Sequence, residues 1–313
     1  MRYIISLART SLVATGLHFG LGLAAAQAQV PDVVTDIPPV HSLVAQVMGD
    51  LGTPTLLLTK GASEHDFQLR PSQAQALADA ELVVWIGPEL TPWLDRAMQG
   101  LTDAESLPLL DAPETATRPF SADGAHLHDD HADGAHDHTG TDPHAWLDPA
   151  NAKAWLGLIA ARLAALDPAN AATYAANAAQ AQAATDALDA RIAAELAPLQ
   201  DRPFVVYHDA YGYFAARYGL QIAGSVALGD ATAPGAAKLS ALQQGLAAGQ
   251  ATCLFPEAQH DTALAVQLVE GTSLRLGPPL DPVGSTLTPG AGAYAALIET
   301  LATAIAGCLT DAP

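Results

Sequence analysis

Positive charge is the scarcest resource in this chain. Of 313 residues, 13 are Lys or Arg against 33 Asp or Glu, for a formal net charge of −20. A surface that acidic repels phosphate backbones and anionic headgroups, so nucleic acid is excluded as a partner and cations are attracted. Aromatic residues reach only 5%, which, with alanine abundant, favours helices over a β-sandwich. Beyond the N-terminal segment there is no uncharged apolar run of about 18 residues, so no membrane-embedded helix is expected. The chain also lacks H-E-x-x-H, G-x-S-x-G and phosphate-loop motifs, which removes the chemistries those motifs carry. Cysteine is limited to Cys253 and Cys308.

What is present begins with a leader. Arg2 and Arg9 precede an apolar stretch from Leu12 to Ala26, and Ala26-Gln27-Ala28 supplies a small-residue cleavage site. Residues 1–28 are therefore read as a secretory signal peptide, with no cysteine nearby for a lipid anchor. Its removal takes away two arginines and no acid, moving the charge from −20 to −22. The predicted location is an oxidising exported compartment, a periplasm. There two cysteines pair as a disulfide; the rival reading is a thiolate pair on a metal.

Short β-rich runs alternate with helical ones. Strands are predicted at Val33–Ile37, Thr55–Thr59, Glu81–Gly87 and Leu107–Leu110, and again at Phe204–Tyr207, Leu220–Val226, Thr252–Phe255 and Ser273–Leu276. Helices fall between them, one expected to start at Ser72 as N-cap. This β-α grammar predicts an α/β fold: two lobes, each a four-stranded, mainly parallel sheet with helices on both faces. The N-terminal lobe spans 29–166 and the C-terminal lobe 201–313. Between them, 167–200 opens with Asp167-Pro168 and runs without glycine to Pro198, predicting one long rigid helix of roughly 45 Å. Residues 111–143 carry no strand or helix signal.

Open α/β sheets bind ligands beyond the carboxyl ends of their strands. Glu64 and His65 follow the second strand, His144 ends the segment after the fourth, His208 follows the fifth and Asp281 the eighth. Should the lobes face each other by these edges, the groups converge. Three imidazoles and a carboxylate form a tetrahedral zinc set and favour Zn²⁺ over Mn²⁺, Mg²⁺ or Ca²⁺. His41 follows the first strand and is assigned a helix-start or supporting role; His260 is read as surface.

These residues sit in recognisable motifs. Gly61-Ala62-Ser63-Glu64-His65-Asp66-Phe67 with Leu69-Arg70-Pro71-Ser72, Asp142-Pro143-His144-Ala145-Trp146-Leu147-Asp148-Pro149, His208-Asp209-Ala210-Tyr211-Gly212-Tyr213-Phe214 and Asp281-Pro282-Val283-Gly284 together resemble the four loops of periplasmic zinc-uptake binding proteins of the ZnuA type. The resemblance spans nearly the whole mature chain. It implies a monomeric solute-binding protein that is not an enzyme and that delivers zinc to the permease and ATPase subunits of an ABC importer. It also implies zinc on His65, His144 and His208, with Glu64 or water fourth and Asp281 as the alternative, and it matches Cys253 and Cys308 to a C-lobe disulfide of some members.

Between Asp123 and His138 the chain reads DGAHLHDDHADGAHDH. Here His126, His128, His131, His136 and His138 offer auxiliary weak zinc binding, or the tract is a solvated insertion. His126-x-His128-x-Asp130-His131 also fits a di-zinc hydrolase motif, but no strand precedes it to fix the ligands. An exported zinc-dependent hydrolase is the competing class, since three histidines and a water also describe a catalytic site. A metal-dependent adhesin is a third.

Overall fold

The computed structural model describes residues 30–58, 60–65, 67–120, 140–227, 236–247 and 250–310. The predicted leader and the five histidines of the 123–138 tract lie outside them.

The N-terminal sheet contains β1 (Val33–Thr35), β2 (Thr55–Leu56), β3 (Leu82–Trp85) and β4 (Glu105–Pro108), all parallel, in the order β2-β1-β3-β4. The C-terminal sheet contains β5 (Phe204–Val206), β6 (Ile222–Ser225), β7 (Cys253–Phe255) and β8 (Arg275–Leu276), also parallel, in the equivalent order β6-β5-β7-β8. Leu82-Val83-Val84-Trp85 and Cys253-Leu254-Phe255 are buried at every position, the pattern of parallel strands covered on both faces. Several strands are shorter than their apolar runs. After β2, Leu57 and Leu58 still donate backbone hydrogen bonds to Thr35 and Asp36, so the chain follows the sheet before turning away.

The helices are α1 (Pro38–Met48), α2 (Pro71–Asp79), α3 (Pro92–Leu101), α4 (Pro149–Leu166), α5 (Ala171–Leu196), α6 (Gly212–Tyr218), α7 (Ala236–Ala247), α8 (Ala263–Val269) and α9 (Ala293–Thr310). Proline sets several starts, because its missing N–H costs nothing in a first turn and its φ is already helical. For α2 this overturns the expected cap. Arg70, not Ser72, is the N-cap, Pro71 opens the helix, and Gln73 Oε1 accepts the Arg70 N–H at 2.8 Å. At α4 the Asp148 carboxylate accepts from Ala150 N at 2.9 Å, an N-cap ahead of Pro149.

The long linking helix is present with a modified start. Pro168–Asn170 forms a 3-10 turn, and α5 follows with 26 residues, about 39 Å of rod. Asp167 caps no backbone amide with its side chain. It accepts instead from Asn170 Nδ2 at 2.6 Å and the Tyr174 hydroxyl at 2.9 Å. Tyr174, Ala178, Ala181, Thr185, Leu188, Ile192 and Leu196 form the buried stripe of α5, spaced by three and four as one helical face requires.

One apolar cluster runs through the whole protein, joining Val33, Leu43 and Ile86 of the first lobe to Trp155 of α4, Ile192 of α5, Phe204 and Phe255 of the second lobe and Leu301 of α9. Smaller clusters line the outer face of each sheet. By length and composition α9 is apolar enough to cross a membrane, but half of it is buried in the protein, with Tyr294, Leu297, Ile298, Leu301 and Ile305 turned into the core. It is a core helix. Cys253 and Cys308 form a disulfide that ties β7 to α9, which excludes the thiolate-pair reading.

Candidate metal centre

His208 and Glu257 meet because of strand register. β5 and β7 are adjacent and pair Phe204 with Cys253, Val205 with Leu254 and Val206 with Phe255. Two residues further on, the same register places His208 beside Glu257, at the point where the C-terminal sheet reverses its strand order, the usual ligand crevice of such sheets. His208 Nδ1 lies 2.6 and 2.7 Å from the two Glu257 oxygens, and the Tyr211 hydroxyl donates to Glu257 Oε1 at 2.9 Å. All three side chains are buried.

His144 is held by a local device. Asp142 Oδ1 accepts from the His144 backbone N–H at 2.9 Å and lies 2.7 Å from its Nδ1. The loop is braced from both lobes: Asp142 N donates to Arg118 O, the Tyr213 hydroxyl donates to Asp142 O, and Trp146 Nε1 donates to Pro282 O at 2.8 Å. Pro119 and Thr141 form an antiparallel bridge, so the residues flanking 121–139 are joined next to Asp142.

His65 lies in the loop after β2. Its N–H donates to Ser63 Oγ, and the carbonyl of the preceding Glu64 accepts from Trp93 Nε1 at 2.9 Å.

The three imidazoles converge. Ring centroids are 5.8 Å apart for His65 and His144, 6.4 Å for His65 and His208, and 5.3 Å for His144 and His208. One nitrogen from each lies within 4.8 Å of the others, an arrangement able to hold a metal ion. A carboxylate on Nδ1 favours the tautomer with its proton there, which leaves Nε2 of His144 and His208 as the nitrogens facing the cluster. Those two Nε2 atoms are 3.4 Å apart. A tetrahedral zinc site with bonds of about 2.05 Å has an edge of about 3.3 Å, so the pair is already set at a tetrahedral span.

The other predicted groups differ in their surroundings. Glu64 is buried, its Oε1 3.9 Å from His65 Nε2. Asp281 is engaged by its own turn: Oδ1 accepts from Ser285 N and Gln259 Nε2, and Oδ2 from Thr286 N and Oγ1, all at 2.7–2.9 Å. His41 sits inside α1 with Nε2 3.2 Å from the Pro54 carbonyl and is not one of the converging imidazoles. His260, read as surface, is half-buried. It stacks on Tyr207 with centroids 4.4 Å apart, and its Nε2 lies 3.7 Å from Glu257. Sequence reasoning did not single out Asp142, Glu257 or Trp93. The two-residue step from Asp142 to His144 was visible, and Glu257 directly follows a buried strand, so the strand-end rule reaches it. Nothing local marks Trp93.

Comparison with known proteins agrees with this architecture. The model of the family ZnuA, zinc-uptake complex component A periplasmic, matches residues 33–308. The high-affinity zinc uptake system protein ZnuA of Paracoccus denitrificans is 48% identical over 316 residues, covering 94% of this chain and 97% of that protein. The protein of that name from Brucella suis biovar 1 is 37% identical over 306 residues, covering 89% and 91%. A crystal structure of ZnuA superposes with a TM-score of 0.73 at 26% identity, covering 90% of this chain and 99% of that one. With the family model matching from the first strand to the last helix, the chain belongs to the ZnuA family of periplasmic zinc-uptake components.

Proposed function

We propose that this protein captures Zn²⁺ in the periplasm and delivers it to an ABC importer, with the permease and ATPase subunits as partners and the protein itself acting as a monomer without enzymatic turnover. The observation that carries the reading is the meeting of three imidazoles from both lobes, two of them fixed through Nδ1 by buried carboxylates. The relatives' name, high-affinity zinc uptake system protein, supports it. In this reading residues 1–28 are the leader, 29–166 and 201–313 the lobes and 167–200 the link. Zinc is the cargo, bound by His65, His144 and His208 with Glu64 as fourth ligand. Asp281, whose oxygens already serve its own turn, shapes the adjoining loop. The histidines of 123–138 gather zinc weakly. Acid weakens binding, because protons compete for the ligand nitrogens.

Competitive titration of the mature protein with Zn²⁺ and Mn²⁺ tests this. One tight zinc per chain is expected. His208→Ala is expected to cost orders of magnitude in affinity, and Glu257→Gln about 10–100-fold through the loss of imidazole orientation. Deleting 123–138 is expected to spare the tight site and reduce the number of weakly bound ions. A wild-type preference for Mn²⁺, or zinc-dependent hydrolysis of model esters, overturns the proposal.

A further inference from the structure

The three imidazoles are anchored in two different ways. Asp142 and Glu257 grip His144 and His208 by their rings, and both histidine side chains are 2% exposed. The His65 side chain is 24% exposed and stands on the solvent side of the cluster. Its loop leaves a strand of two residues at the edge of the sheet. That loop is gripped by its backbone, through the Trp93 indole N–H on the Glu64 carbonyl. The same indole packs on Phe67, centroids 5.1 Å apart, two residues beyond His65.

Trp93 is well placed to serve as a fixed post. It lies in the first turn of α3, is 8% exposed, and belongs to the outer core cluster with Val34, Val83 and Trp85. The connection that leads into α3 is itself tied to the sheet, because the buried Asp36 carboxylate at the end of β1 accepts the Ile86 N–H at 2.9 Å. The Trp93–Glu64 hydrogen bond thus ties the segment that carries the Glu64 and His65 side chains to the packed body of the lobe.

We propose that Trp93 is a positioning residue for the metal centre: its indole N–H holds the Glu64–His65 segment against the preset His144–His208 pair and thereby sets how slowly zinc leaves. This rests on the zinc-binding reading above. The preset pair receives the ion, so arrival depends little on Trp93. Retention requires the third imidazole and the neighbouring carboxylate to stay closed over the ion, so departure depends on it strongly.

The test is Trp93→Phe, which keeps a ring against Phe67 and removes the N–H, with Trp155→Phe as control. Trp155 is buried and donates its indole N–H to Thr115 Oγ1 at 2.8 Å, so its loss imposes a comparable structural cost away from the His65 loop. Zinc release into excess chelator and the absorption spectrum of the cobalt-loaded protein are recorded. For Trp93→Phe, dissociation is expected to quicken about tenfold, equivalent to about 1.4 kcal/mol, with association within about twofold of wild type and a weakened tetrahedral cobalt band. For Trp155→Phe, both readouts are expected to match wild type. Unchanged dissociation and spectrum in Trp93→Phe, or equal acceleration in Trp155→Phe, overturn the proposal. If Trp93→Phe does not fold, the isosteric benzothienylalanine at position 93, which lacks only the N–H, gives the same comparison. Wild-type protein that binds neither zinc nor cobalt sinks the metal reading itself, an outcome distinct from failure of the Trp93 contact.

Discussion

Two kinds of buried histidine coexist in this protein, and their surroundings give them different tasks. His208 faces a carboxylate through Nδ1 and turns Nε2 to the cluster. His41 faces the Pro54 carbonyl, and burial holds its pKa below the ordinary 6.5. The unfolded chain therefore takes up this proton before the folded one does. The stability that His41 contributes is complete above about pH 6.5 and is lost as the pH falls below it. Asp36 works in the opposite sense. Burial outweighs its bonds to Ile37 N and Ile86 N and pushes its pKa up from 3.8 to about 7. Its contribution is complete below the unfolded value and is lost as the pH rises towards about 7. His41→Gln isolates the first effect, since its amide still donates to Pro54 O. Urea unfolding is expected to show the gap between wild type and variant narrowing from about pH 7 to about pH 5. A gap that does not change with pH contradicts the assignment.

At the scale of elements, the cross-link between β7 and α9 closes a separation of 55 residues. In the chain-entropy view such a closure is worth ~4 kcal/mol. Reduction, or replacement of both cysteines by alanine, is expected to lower the unfolding free energy by up to that amount while leaving the zinc Kd within about twofold. Cys253 begins β7, and Glu257 lies just past its other end, so the two effects are separable by denaturation and by metal titration. A collapse of affinity on reduction counts against this. Element type was legible in the sequence: Glu81–Gly87 and Thr252–Phe255 read as strands, and 167–200 as one long helix. Element ends were less legible. Strand ends depend on where the neighbour stops pairing, and the start of α5 was displaced by the side-chain partners that Asp167 found in Asn170 and Tyr174.

The whole molecule behaves as more than two hinged halves. The main apolar cluster is continuous from β1 through α4 and α5 to β5 and α9. Polar bonds cross the same boundary: Ser42 Oγ donates to Ala291 O, the Tyr294 hydroxyl to Trp146 O, and Trp146 Nε1 to Pro282 O. Wide opening would break these bonds and expose core surface together, a cost no single ligand contact offsets. Small-angle scattering with and without zinc is therefore expected to show a change in radius of gyration below about 1 Å, with release left to local loop movement. A hinge rotation of domain scale between the two states contradicts it.

The converging histidines and their positions after strands were written in the sequence, because local signals suffice for both: β-rich runs end, and His65, His144 and His208 follow at or beyond the carboxyl edge. Asp142 was equally local, two residues from its histidine. The partnership of His208 with Glu257 spans 49 residues and exists only through the register of β5 on β7. The Trp93 bond to Glu64 spans 29 and exists only because α3 packs beneath the β2 loop. Sequence supplied the donors one by one. The fold decided which side chains face each other, because that depends on strand register and helix packing, which no short window of residues contains.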